Sequence, residues 1–97
     1  VAAPDERLEL LGDYLDAQAL LRERKWQASS AAFEELLPEL MAGRPDLGPN
    51  AYAALAQCCE RMGQTDQQRE ANRQLLELEP TSLVGRFSEV RALVRLG

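Results

Sequence analysis

Apolar side chains recur every three or four positions along most of this chain, and Gly, Pro and polar clusters interrupt the recurrence at intervals. That spacing keeps one face of a helix apolar, because an α-helix repeats every 3.6 residues, and it predicts five helices over residues 5–23, 26–41, 50–62, 66–79 and 82–96. In the first, Leu8, Leu11, Leu15 and Leu21 fall near one face with Ala17 beside them, and Pro4, Asp5 and Glu6 suit a helix start. The second carries Ala28, Ala32, Phe33, Leu36, Leu37 and Leu40, with Pro38 expected to kink or shorten it. Only the polar cluster around Trp26 separates these two helices, so residues 5–37 also read as one long helix.

The remaining boundaries are punctuated. Residues 42–50 hold two Gly and two Pro and read as a loop. In the third helix Tyr52, Leu55, Ala56, Cys59 and Met62 keep helical spacing up to Gly63, a residue suited to the left-handed turn after a helix. Thr65 and Gln68 have the spacing of a capping box, in which two side chains satisfy each other's free amides. The fourth helix places Ala71, Leu75 and Leu78 together and stops at Pro80 in the stretch LLELEP, since proline disfavours helical geometry in the residue before it. Thr81 and Ser82 offer a cap for a last helix bearing Phe87, Val90, Leu93, Val94 and Leu96.

Composition supports an all-α chain. Leu, Ala, Glu, Gln and Arg dominate, aromatics amount to 5% and isoleucine is absent, so 97 residues build one domain with a modest core of Leu and Ala. Charge narrows the function. With a formal net charge of −5 and a single lysine, the chain lacks the basic patch that neutralises phosphates, and nucleic acid is not an expected partner. No apolar run approaches the roughly 18–20 residues that cross a bilayer, so membrane insertion is not expected either. The absence of that segment and of a secretion signal favours a cytoplasmic location, and a chain beginning with Val reads as a piece of something longer.

Candidate chemistry is sparse. The chain has no histidine, which removes His-based acid–base catalysis and most transition-metal sites. Cys58 and Cys59 are neighbours about 100° apart on a helix and cannot close a comfortable disulfide; Cys59 is expected to be a small buried hydrophobe. Glu34, Glu35, Glu77 and Glu79 alternate with leucines as a solvated face does. Gly-rich phosphate loops and metal-ligand spacings are missing, so neither an enzyme nor a cofactor is expected.

The chain also repeats itself. ERMG at 60–63 returns as VRLG at 94–97, an offset of 34 residues, and FEELLPEL at 33–40 aligns with NRQLLELE at 72–79, an offset of 39 whose extra residues fall in the Gly/Pro loop. The unit from Pro49 to Pro80 resembles a tetratricopeptide repeat, through Tyr52, Leu55-Ala56, Gly63 and the closing Leu76-Glu77-Leu78-Glu79-Pro80. Gln68 and Asn72 depart from that pattern, standing where the family has a small alanine and an aromatic. Residues 5–41 resemble a degenerate first repeat: Trp26, Phe33 and Leu36 fit, whereas Asp13 and Asp16 replace an aromatic and a leucine, and Arg24 replaces the turn glycine. Residues 82–97 resemble the first helix of a third repeat, with Glu89 at a leucine position, which implies a protein continuing past Gly97.

The resemblance implies antiparallel helix pairs stacked as a right-handed superhelix, with the first helix of each pair lining a concave groove for a protein or peptide. The family's groove positions fall on Tyr14, Gln18 and Arg22, on Asn50, Ala53, Gln57 and Arg61, and on Val84, Phe87, Arg91 and Arg95. Amides suit an extended peptide backbone, Tyr14 and Phe87 offer apolar anchors, and the four arginines form a weakly basic strip that would favour acidic or C-terminal segments. The carboxylate clamp of chaperone-binding relatives is not expected, because Tyr14 and Gln18 replace its lysine and asparagine and Ala53 and Ala54 leave no second asparagine. Two alternatives remain: a spacer within a longer array, including one beside a separate catalytic domain, and self-association. The apolar face of the last helix, with Val90, Leu93 and Val94, would drive the latter as a homodimer or by domain exchange.

Overall fold

The computed structural model describes residues 4–97, with side chains described from residue 8 onward, so the expectation for Asp5 and Glu6 lies outside the described side chains. The described chain is all-helical: α1 (Pro4–Arg22), α2 (Trp26–Gly43), α3 (Gly48–Arg61), α4 (Thr65–Leu78) and α5 (Leu83–Leu96). Short turns fold each helix back on its predecessor. Beyond these sequential contacts, α3 touches both α1 and α5, so the odd-numbered helices form one layer and α2 and α4 the other. The result is a slab of 48 × 28 × 17 Å.

Two boundaries differ from the sequence reading. The loop over 42–50 is shorter, because α2 continues through Gly43, a single 3-10 turn (Pro45–Leu47) follows, and Gly48 opens α3 with Pro49 in its first turn. Pro38 lies inside α2, as the expected helix over 26–41 already had it, and does not shorten it: α2 runs five residues beyond the proline. The break between α1 and α2 is a true turn, made by a residue that does not advertise it. Arg24 takes the left-handed φ of 61°. Its amide donates to the Leu21 carbonyl at 3.0 Å and the Lys25 amide to Leu20 at 3.0 Å. Thirty-nine residues on, Gly63 has φ 73°, its amide donates to Glu60 at 3.1 Å and the Gln64 amide to Cys59 at 2.8 Å. The two turns have the same backbone, but only one has the residue for which that backbone is free of strain. Arg24→Gly is therefore expected to raise stability by about 0.5–1 kcal/mol, read as a higher urea midpoint at unchanged slope, the strain relieved being partly offset by a floppier unfolded chain.

The core lies between the layers: Leu10, Tyr14 and Ala17 from α1, Phe33, Leu36, Leu37 and Leu40 from α2, Ala51, Leu55, Ala56 and Cys59 from α3, and Ala71 from α4. Leu75 extends the burial along α4. Phe33 is the largest fully buried side chain and meets Tyr14 edge-on, with ring centroids 6.1 Å apart. The α1 face is the main correction. Leu10, Tyr14, Ala17 and Leu21 turn inward, while Leu8 and Leu15 are exposed. In α2, Ala28 is exposed as well. Thr65 and Gln68 form no capping box: Gln64 is the cap residue, without a side-chain bond, and Gln68 is fully buried and donates to the Ser88 carbonyl and hydroxyl at 3.0 and 2.9 Å. Ser82 does cap α5, its hydroxyl accepting from the Gly85 amide at 3.1 Å.

α5 packs by its small side. Gly85, Ser88 and Ala92 are buried, and a Cβ at residue 85 would sit 3.1 Å from Leu75 and Leu76, so the helix approaches α4 closely only because that residue is glycine. Its large apolar side chains consequently face outward, with Leu83, Phe87, Val90, Leu93 and Val94 all at least 50% exposed.

Candidate functional site

The odd-numbered layer carries a concavity of about 740 Å³. Gln18 and Leu21 of α1 line it, then Asn50, Ala53, Ala54, Gln57, Glu60 and Arg61 of α3, and Val84, Ser88, Arg91 and Arg95 of α5. Each helix contributes from positions a turn or two apart, so the lining follows directly from packing α3 between α1 and α5.

Of the residues expected from sequence, Gln18, Asn50, Ala53, Gln57, Arg61, Val84, Arg91 and Arg95 are brought together here. Three are not. Tyr14 is no exposed anchor: it is 7% exposed, packs on Phe33, and its hydroxyl accepts from Gln18 Nε2 at 2.9 Å. It shapes the groove indirectly, by holding the Gln18 amide. Phe87 is exposed but lies on the outward side of α5, and Arg22 is exposed outside the lining.

Glu60 is the residue that sequence reasoning missed. Its side chain is only 16% exposed, and Arg91 grips it with both Nε, at 2.8 Å, and Nη2, at 3.2 Å. Arg95 adds a contact to the same carboxylate at 3.7 Å and a hydrogen bond to the Glu60 carbonyl at 3.3 Å. The Arg91 hydrogen bond holds the Glu60 carboxyl below its ordinary value, against the opposing effect of burial, and raises Arg91 in turn. The contact follows from packing α5 beside α3, which brings residues 31 positions apart in the sequence face to face. Arg61 differs. Its guanidinium lies 5.7 Å from the centroid of the Trp26 ring, a cation–π contact made by an exposed side chain. The groove thus holds three guanidiniums against one carboxylate, in a chain whose formal net charge is −5.

The other candidate chemistry stays silent. Cys58 and Cys59 are both buried, and burial pushes both thiols up, Cys59 to about 11 with help from Cys58 and Glu34, which disfavours the reactive thiolate. Among the described residues no three His, Cys, Asp or Glu side chains converge as metal ligands, and no helix is long and apolar enough to cross a membrane. Glu70 and Glu77 engage Arg73 on the outer surface of α4, as solvated carboxylates do.

Comparison with protein-family models, curated proteins and solved structures finds no match for this chain.

Proposed function

We propose that this chain is a non-catalytic interaction module of tetratricopeptide type, which holds an extended, carboxylate-bearing segment of another protein in the groove of its odd-numbered helices. The carrying observation is the lining itself: three amide side chains (Gln18, Asn50 and Gln57) and three guanidiniums (Arg61, Arg91 and Arg95) on one concave face. Amides offer a donor and an acceptor each, which matches a peptide backbone, and guanidiniums fork onto carboxylates. The repetition of the α1–α2 turn in the α3–α4 turn supports the family reading, as does the two-layer packing of the helices. The groove would lack a deep apolar anchor, so affinity would come from many modest polar contacts and weaken with salt.

The test is a titration of extended peptides of graded Asp and Glu content against the chain and against Arg61→Glu/Arg91→Glu. Acidic peptides should bind in preference to neutral ones, and the double reversal should weaken them by roughly tenfold or more. Equal affinity in the reversed variant would overturn the reading. A spacer role is the second reading, favoured by the outward apolar side of α5.

A further inference from the structure

We infer that the chain associates with itself head to tail, the outer face of α5 in one copy packing antiparallel on the outer face of α1 in the next. The α5 stripe is Leu83, Phe87, Val90 and Val94, all between 56% and 74% exposed and on the side opposite the buried Gly85 and Ala92. A matching stripe lies at the other end of the slab. On α1, Leu8 is 67% and Leu15 52% exposed, Gly12 is exposed between them, and Ala19 continues the line.

The two stripes share one spacing, i, i+4, i+7, i+11, so they are in step along their whole length. Laid antiparallel, Leu8 comes opposite Val94 and Leu15 opposite Phe87, while Gly12 makes room for Val90 and Ala19 for Leu83. Large side chains thus alternate with small ones across the contact, which lets two helices close. No space is taken up near Gly12, where an added Cβ would meet nothing within 4 Å of its own chain.

Charge selects this partner over the alternatives. Exposed Glu9 and Asp13 flank the α1 stripe, and Arg95 and Arg91 flank that of α5, where together they outnumber the one carboxylate they hold, Glu60. In the antiparallel pairing these flanks fall on the same side, with Glu9 near Arg95 and Asp13 near Arg91. An α5-on-α5 dimer would instead bring the two arginine flanks together, at a cost in like-charge repulsion. Because the two surfaces differ, the contact is heterologous: every open oligomer keeps a free end until a ring closes, so assembly grows with concentration.

The proposal shares Arg91 and Arg95 with the groove reading, but it rests on the apolar stripes and is tested without a ligand. The intact chain and two blocked variants are compared by sedimentation velocity from about 1 μM to about 1 mM. Leu8→Glu/Leu15→Glu blocks the α1 face and Phe87→Glu/Val94→Glu blocks the α5 face. All four positions are at least half exposed, so both variants should keep the helical circular dichroism of the parent. The expected result is that the parent forms oligomers larger than a dimer, each variant alone stays monomeric, and a one-to-one mixture of the two gives a dimer. Raising salt from about 0.05 to about 0.5 M should weaken the parent's association several-fold. A parent that is monomeric throughout would overturn the inference, leaving the stripes to some other helix. Self-association of the α1-blocked variant would overturn it in favour of an α5-on-α5 dimer, and a mixture that fails to pair would overturn it outright.

Discussion

Phe33→Ala is expected to lower the unfolding free energy by about 3–5 kcal/mol, the largest loss from any single side-chain truncation in this chain. The reason is scarcity. Aromatics make up 5% of the residues, and Phe33 is the only aromatic among the fully buried side chains, at 0% exposure. Its ring fills the space between α1 and α2, edge-on to Tyr14, and the surrounding Leu36, Leu37 and Leu40 belong to the same helix and cannot shift independently to close a void. A small domain holds only about 5–15 kcal/mol in total, so the variant should unfold at a much lower urea concentration and be partly unfolded when warm. The effect should reach the groove as well, since Tyr14 rests on Phe33 and holds the Gln18 amide. The other phenylalanine is the internal control. Phe87 is 58% exposed, and at concentrations low enough to keep the chain monomeric Phe87→Ala should change stability by about 0.5 kcal/mol or less. Equal costs at the two positions would show that the layer between α1 and α2 is not the core.

That contrast marks what the sequence could and could not tell. Five helices were legible because apolar period and punctuation agree: Gly63, Pro80 and Ser82 each sit where a chain must turn or cap, and each does so in the structure. Which face of a helix turns inward was harder. In α1 two stripes compete with identical spacing, Leu8-Gly12-Leu15-Ala19 and Leu10-Tyr14-Ala17-Leu21, and only the position of α2 decides between them. Periodicity reports that a face exists but not which neighbour covers it, so Tyr14 was expected in the groove and lies in the core. Arg24 was legible as a turn residue only through the resemblance, which sets it at a glycine position, since periodicity alone also allowed one long helix over residues 5–37. Glu60 was hidden because its partners are 31 and 35 residues away, where no local pattern points. The α3 positions named from the sequence all line the concavity, because that helix has neighbours on both sides and a single way to face them.

Asn72→Leu is expected to raise stability by about 1–3 kcal/mol, a gain of a kind that buried polar positions seldom offer. Asn72 is 0% exposed, and neither its Oδ1 nor its Nδ2 has a hydrogen-bond partner, so exchanging the two ends of the amide would not help. Dehydrating an amide without pairing it costs about as much as the predicted gain. Leucine has the same branched skeleton of four heavy side-chain atoms, which removes the two orphan groups without leaving a void, although the fit of its bulkier methyls sets the upper limit. The repeat provides the rationale from the other direction. Asn72 stands 39 residues after Phe33, the same interval that separates the matching turns at Arg24 and Gly63, so it takes on α4 the place where α2 puts its largest buried apolar side chain. Its neighbour Gln68 is the necessary comparison. That amide is equally buried and its Oε1 is likewise without a partner, but its Nε2 donates twice to Ser88 and so joins α4 to α5. Gln68→Leu should therefore gain little or lose stability, while Asn72→Leu gains, and urea midpoints of the two variants against the parent decide it. A fall in the midpoint for Asn72→Leu would show that its amide is paired in solution, and would make its site a polar part of the fold rather than an imperfect patch of core.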